Sequence, residues 1–152
     1  VTLLVGFGGS AAGMGGSGGL GWSYGIHTRR LVAFSLEGNQ TLPSQPPPFF
    51  PQPLDPPAFK IDQRLAKIGS GLYGLCGYCH GGGVVAGGMA PDLRASPIPL
   101  VDALFEQVMR KGSRVHRGMP AFAAFTDHHL KALQHYIRSQ ARRTAPSETS
   151  RQ

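Results

Sequence analysis

Five consecutive residues concentrate the chemistry of this chain: Cys76-Gly77-Tyr78-Cys79-His80. The two thiols stand about one helical turn apart, with an imidazole directly behind the second. This C-x-x-C-H pattern suits covalent attachment of a haem. Each thiol can add to one vinyl group of the same porphyrin, giving two thioether bonds, and His80 can then aim its ring at the iron. Other uses of the five residues fit less well. A dithiol redox pair belongs in a βαβ setting, and no strand pattern surrounds the motif. A zinc site needs four ligands, usually as two spaced pairs, whereas His128 and His129 are adjacent. A structural disulfide would leave His80 without a task.

The opposite face of the iron needs a second ligand, and Met119, Met89, Met109 and His116 are the candidates. Met109 falls on the apolar stripe of a helix and reads as core packing. Met89 lies nine positions past His80, near enough for an extended chain to pass around the ring. His116 sits among basic residues in Arg114-Val115-His116-Arg117. Met119 is the expected ligand, because Gly118 permits close approach and Pro120 stiffens the turn. A thioether opposite an imidazole raises the reduction potential relative to two imidazoles, and filling both positions disfavours oxygen chemistry. The expected activity is therefore one-electron transfer. The other ring nitrogen of His80 needs an acceptor to fix its tautomer, which a backbone carbonyl near Pro91 would supply. Arg94 either meets a haem propionate with its fork of donors or is an ordinary surface arginine.

Three helical patterns must position these groups, which predicts a small all-α domain over residues 60–142. Ile61, Leu65, Ile68, Leu72 and Leu75 mark one face of a first helix, and the motif is placed between this helix and the next. Gly69, Gly71 and Gly74 weaken the first helix but let another approach it closely. Val101, Leu104, Phe105, Val108 and Met109 mark a second, stopped at Lys111-Gly112. A third starts after Thr126 and carries Leu130, Leu133 and Ile137 on one stripe. Three short helices enclose little core, and a haem would supply a large apolar one.

Composition divides the rest of the chain. Of 152 residues 22 are Gly and 13 are Pro, but ten of the Gly fall in 6–25 and eight of the Pro in 43–57. Residues 1–38 thus form a Gly-rich piece with two strand-like runs, Thr2 to Val5 and Arg30 to Leu36. Residues 39–59 form a Pro-rich linker expected to be extended and semi-rigid, and 143–152 form a tail expected to be disordered. Two strands make no stable sheet alone, so the first piece is either a disordered tail or strands severed from a larger sheet. The initial Val1 without a signal sequence fits a fragment or processed product. No apolar run is long enough to span a membrane. The net charge of +7 lies wholly in residues 60–152. Arg110, Lys111, Arg114 and Arg117 cluster just before Met119, either as a solvated turn or as a surface steering an acidic redox partner. A nucleic-acid module is disfavoured, because no aromatic interleaving accompanies the cluster.

GLYGLCGYCHG (71–81), MAPDLR (89–94) and RGMPAF (117–122) together resemble a class I cytochrome c domain. With RRLVAFSLEGNQTLP (29–43) and the Pro-rich linker upstream, the chain resembles the C-terminal end of a quinohaemoprotein alcohol dehydrogenase. The resemblance implies Cys76 and Cys79 as covalent haem attachments, His80 and Met119 as axial ligands, and Arg94 near a propionate. It also implies a periplasmic bacterial location and a partner propeller domain of the same parent chain, holding PQQ and calcium. That catalytic half is missing: no adjacent Cys pair is present, and Trp22 is the only Trp. The expected role is to pass electrons from a PQQ domain to an external acceptor, without oxidising alcohol itself. The alternative is a free-standing periplasmic cytochrome c whose first 59 residues dock or anchor it.

Overall fold

Asp62 starts the first helix. Its carboxylate accepts hydrogen bonds from the backbone amides of Arg64 and Leu65, at 2.8 and 3.1 Å, pairing two donors that a helix start leaves open. Those two bonds hold the carboxyl below its ordinary pKa. In the computed structural model, which describes residues 1–5, 28, 30–44, 46, 47, 49, 51–85 and 90–144, α1 spans Gln63–Leu72 and α2 spans Gly74–His80. Short 3-10 turns at Gly82–Val84 and Ile98–Leu100 lead to α3, Asp102–Met109. A third turn at Val115–Arg117 precedes α4, Asp127–Thr144. Thr126 caps α4: its Oγ1 accepts from the His129 amide, and its own amide donates to His129 Nδ1, each at 3.3 Å. The domain is all-α, as expected.

The core forms where α1 crosses α4. Gly69 sits so close to α4 that a Cβ there would lie 2.1 Å from the Ala132 carbonyl oxygen and 2.8 Å from Tyr136 Cβ. Only glycine allows this approach. Leu130, Leu133 and Ile137 of α4 are buried with Phe105 and Met109 of α3, and with Tyr73 and Val84. The expected apolar face of the first helix is rotated. Ile68 and Leu75 are exposed, while Ala66, Gly69 and Tyr73 are buried. Residues at i, i+3 and i+7 still share a face, but closeness to α4 selects the small ones. The motif also differs in setting: it occupies α2, a helix of its own, rather than a connection between helices.

β1 (Thr2–Val5) and β2 (Arg30–Ala33) pair antiparallel, with Thr2 opposite Ala33 and Val5 opposite Arg30. The strand at Arg30 ends three residues before the expected Leu36. The Gly-rich run at 6–25 and residues 145–152 lie outside the described residues, whereas α4 continues through Thr144.

The last part of the Pro-rich segment is bound to the domain. Leu54 donates its amide to the Arg94 carbonyl at 2.9 Å. Asp55 accepts from Arg142 Nη2 at 2.7 Å and Nε at 2.9 Å. The Phe59 ring meets His135 at 5.0 Å, and His135 Nδ1 accepts from the Asp62 amide at 2.9 Å. Docked chain therefore begins about Leu54, ahead of the helical pattern at Lys60.

A candidate covalent haem site

Helix α2 carries all three residues of the motif. Cys76 and Cys79 are free thiols, the first half-buried and the second exposed. Burial pushes the Cys76 thiol up to about 11, the opposite of the depressed value that an attacking redox cysteine needs. Cys76 therefore lacks the lowered pKa that the dithiol reading asks of it.

His80 closes α2 and is buried. Its Nδ1 lies 2.8 Å from the Pro91 carbonyl oxygen. A carbonyl only accepts, so Nδ1 carries the proton and Nε2 keeps its lone pair for a metal. Desolvation lowers the His80 pKa, against a smaller raising effect of the Pro91 bond. The ring is thus held neutral, the state a metal requires. The chain leaves α2 through Gly81 at φ 80°. The Tyr73 hydroxyl, 3.2 Å from both the His80 and Gly81 carbonyl oxygens, ties this exit to the core. Sequence reasoning missed Tyr73, whose single signal was its place one turn before the motif.

Met119 follows Gly118, which takes a left-handed φ of 86°, and its side chain packs half-buried against the core cluster. Its amide donates to the Arg114 carbonyl at 3.3 Å. Among the other thioethers, Met109 is buried in the core as expected, and Met89 lies outside the described residues. His116 is exposed on the 3-10 turn.

Arg94 is buried rather than on the surface. Its Nη2 and Nε donate to Asp92 at 2.6 and 3.0 Å, and Nη1 donates to Thr144 Oγ1 at 3.2 Å. In the basic cluster, Arg110 pairs with Asp127 at 2.7 Å and Glu106 at 3.2 Å, while Lys111 reaches Glu106 at 3.8 Å. Part of the cluster's own positive charge is thereby neutralised locally.

The donor set fits a c-type haem: two free thiols one turn apart, a neutral imidazole with one nitrogen committed and one open, and a thioether against the apolar core. No group of three or more His, Cys, Asp or Glu side chains capable of holding a metal ion occurs among the described residues, so these side chains form no zinc cage.

The chain is similar in sequence and in fold to known proteins. A family profile described as "Cytochrome C oxidase, cbb3-type, subunit III" matches residues 64–137. Over 93% of its length the chain is 33% identical to "Quinohemoprotein alcohol dehydrogenase ADH-IIG" of Pseudomonas putida, covering 19% of that protein. It is 35% identical over 97% of its length to "Alcohol dehydrogenase (quinone), dehydrogenase subunit" of Acetobacter aceti, covering 20% of it. A solved structure of the Pseudomonas putida ADHIIG protein superposes with a TM-score of 0.61 at 28% identity, covering 93% of this chain and 20% of that one. The chain spans about a fifth of the length of these relatives.

Proposed function

We propose that this chain is the cytochrome c segment of a quinohaemoprotein alcohol dehydrogenase, the proteins it is similar to over most of its own length, and that it takes electrons from a PQQ-containing alcohol dehydrogenase domain and delivers them one at a time to an external acceptor. The observation that carries this reading is α2 itself: two free thiols and a buried neutral histidine on one helix, with Pro91 fixing the histidine's tautomer. A bound haem supplies a reversible one-electron store.

The residues of this chain do the rest. Cys76 and Cys79 anchor the group covalently. His80 would offer Nε2 to the haem iron, its orientation held by Pro91 and by Tyr73 at the helix exit. Met119 is the proposed second donor that would hold the iron, supported by its half-buried thioether and the Gly118 turn. Arg94 is best supported as the staple of the loop that holds Pro91, since a propionate would compete with Asp92 for its fork. Arg114 and Arg117, with Lys111, form the proposed steering surface for an acidic acceptor. PQQ and calcium belong to the parent protein's other domain, and the proposed location is the bacterial periplasm. No described helix is long and apolar enough to cross a membrane.

An absorption spectrum of the protein matured in a bacterial periplasm, oxidised and then reduced, tests the reading. Covalently held haem with c-type bands is expected, and a chain that takes none refutes it. Met119→Ala is expected to keep the covalent haem and lose the weak thioether-to-iron charge-transfer band. A variant with the band intact transfers the role to another residue.

A further inference from the structure

Arg138 of α4 is fully buried, an unusual place for a guanidinium. Burial lowers its pKa to about 10, so the group stays charged at neutral pH and must be paired with acceptors. Its partners are backbone carbonyls from two separate stretches of chain. Nη1 donates to Leu54 at 2.8 Å and to Arg94 at 3.2 Å, while Nη2 donates to Leu93. The circuit closes because the Leu54 amide donates back to the Arg94 carbonyl at 2.9 Å. One side chain therefore binds the linker and the loop just after Pro91 at once.

Pro91 is three residues before Arg94 and is the acceptor for His80 Nδ1. The far side of the same loop is held by the Asp92–Arg94 pair, and Arg94 Nη1 continues to Thr144 at the end of α4. The 91–94 loop is thus clamped between the linker and the last helix. The rigid fork suits this task, since it reaches several carbonyls in fixed directions that a point charge cannot match.

We propose that Arg138 is a positioning residue that joins the docked linker and the axial histidine into one mechanical unit, through the carbonyls of Leu54, Leu93 and Arg94. The inference rests on the haem reading above for its consequence, but not for its geometry. Releasing the clamp frees Leu54 and lets the Pro91 carbonyl retreat from Nδ1. A weaker acceptor makes His80 a poorer donor, which destabilises ferric iron and raises the reduction potential. The linker, on the proposed path between two domains, thereby gains a mechanical route to the redox centre.

The test uses the full chain matured with haem, as wild type, Arg138→Met and Arg138→Lys. Hydrogen exchange is read at the Leu54 amide and at the His80 Nδ1 proton, together with the reduction potential. In R138M both protons are expected to exchange on the order of tenfold faster, as loss of charge-assisted hydrogen bonds implies, with the potential raised. R138K, which keeps the charge without the fork, should fall between. Faster exchange at Leu54 with an unchanged His80 proton and potential would reduce Arg138 to a linker anchor and overturn the coupling. If R138M does not fold, R138K decides: wild-type exchange at both positions sinks the proposal. A wild-type chain that takes no haem strikes the proposed function instead, and the two protons still read the coupling.

Discussion

Where α1 crosses α4, backbone meets backbone, and Gly69 leaves no room for a single methyl group. Where the chain presents Met119, three-residue turns carry exposed Val115, His116 and Arg117, and Gly118 faces open space. Both regions depend on a glycine, but for different reasons: one for volume, the other for a dihedral angle. The crossing is packed backbone to backbone, while the Met119 flank is laid over the core and tied by turn hydrogen bonds. The backbone of Met119, the proposed second donor, is held by turn geometry, and its side chain by packing against the core.

Substitutions of the two glycines can break this contrast. Gly69→Ala places a Cβ against the Ala132 backbone, which cannot give way without separating the helices. A loss of about 3 kcal/mol or more is expected by denaturant unfolding. Gly118→Ala meets no neighbour and bears only the left-handed φ, for about 1 kcal/mol. Equal losses at the two positions would mean the flank is packed as tightly as the crossing.

A smaller effect sharpens the contrast at the surface. Lys131 and Gln134 of α4 donate to Asp102 at the start of α3, at 2.7 and 2.9 Å, and hold its carboxyl below the ordinary 3.8. A folded value below the unfolded one contributes stability that is present above pH 3.8. It is lost as the pH falls through the folded value. The Asp102 side chain is 68% exposed, so the contribution is at most about 0.5 kcal/mol. Asp102→Asn should flatten the acid limb of the stability curve by that amount. An unchanged limb would show that this surface pair adds nothing to the α3–α4 contact.

Much of the candidate site was legible because it is local, and the expected His80–Pro91 contact is found. C-x-x-C-H is contiguous, and Pro91 and Met119 stand beside turn-forming residues whose conformational limits can be read directly. The core stripe of α4 was also legible, since Leu130, Leu133 and Ile137 repeat at helical spacing and are buried. The face of α1 was legible only in part: the close approach expected at Gly69 is found, but the apolar face is not the expected one. Its large residues pointed to Ile68 and Leu75, but periodicity weighs apolar size, whereas a close crossing rewards smallness at Gly69 and Ala66. Arg138 was invisible for a related reason. A charged residue on a helix reads as solvent-facing until the carbonyls of a distant linker and loop are seen to meet it. The docking of Leu54 and Asp55 was hidden by the proline content around them, which speaks for extended chain and is silent on what that chain lies against.

The crossing also sets an order of events. Its two helices come from opposite ends of the domain, and α4 does not finish until Thr144, so a growing chain cannot close the core until nearly all of it has been made. Throughout that interval the thiol of Cys76 is free of the burial that later raises its pKa, and an unburied thiol ionises, and so attacks, more readily. On the proposed haem reading, bond formation at Cys76 is therefore favoured before the final helix docks, and a mutation that hastens closure would shorten the time open to it.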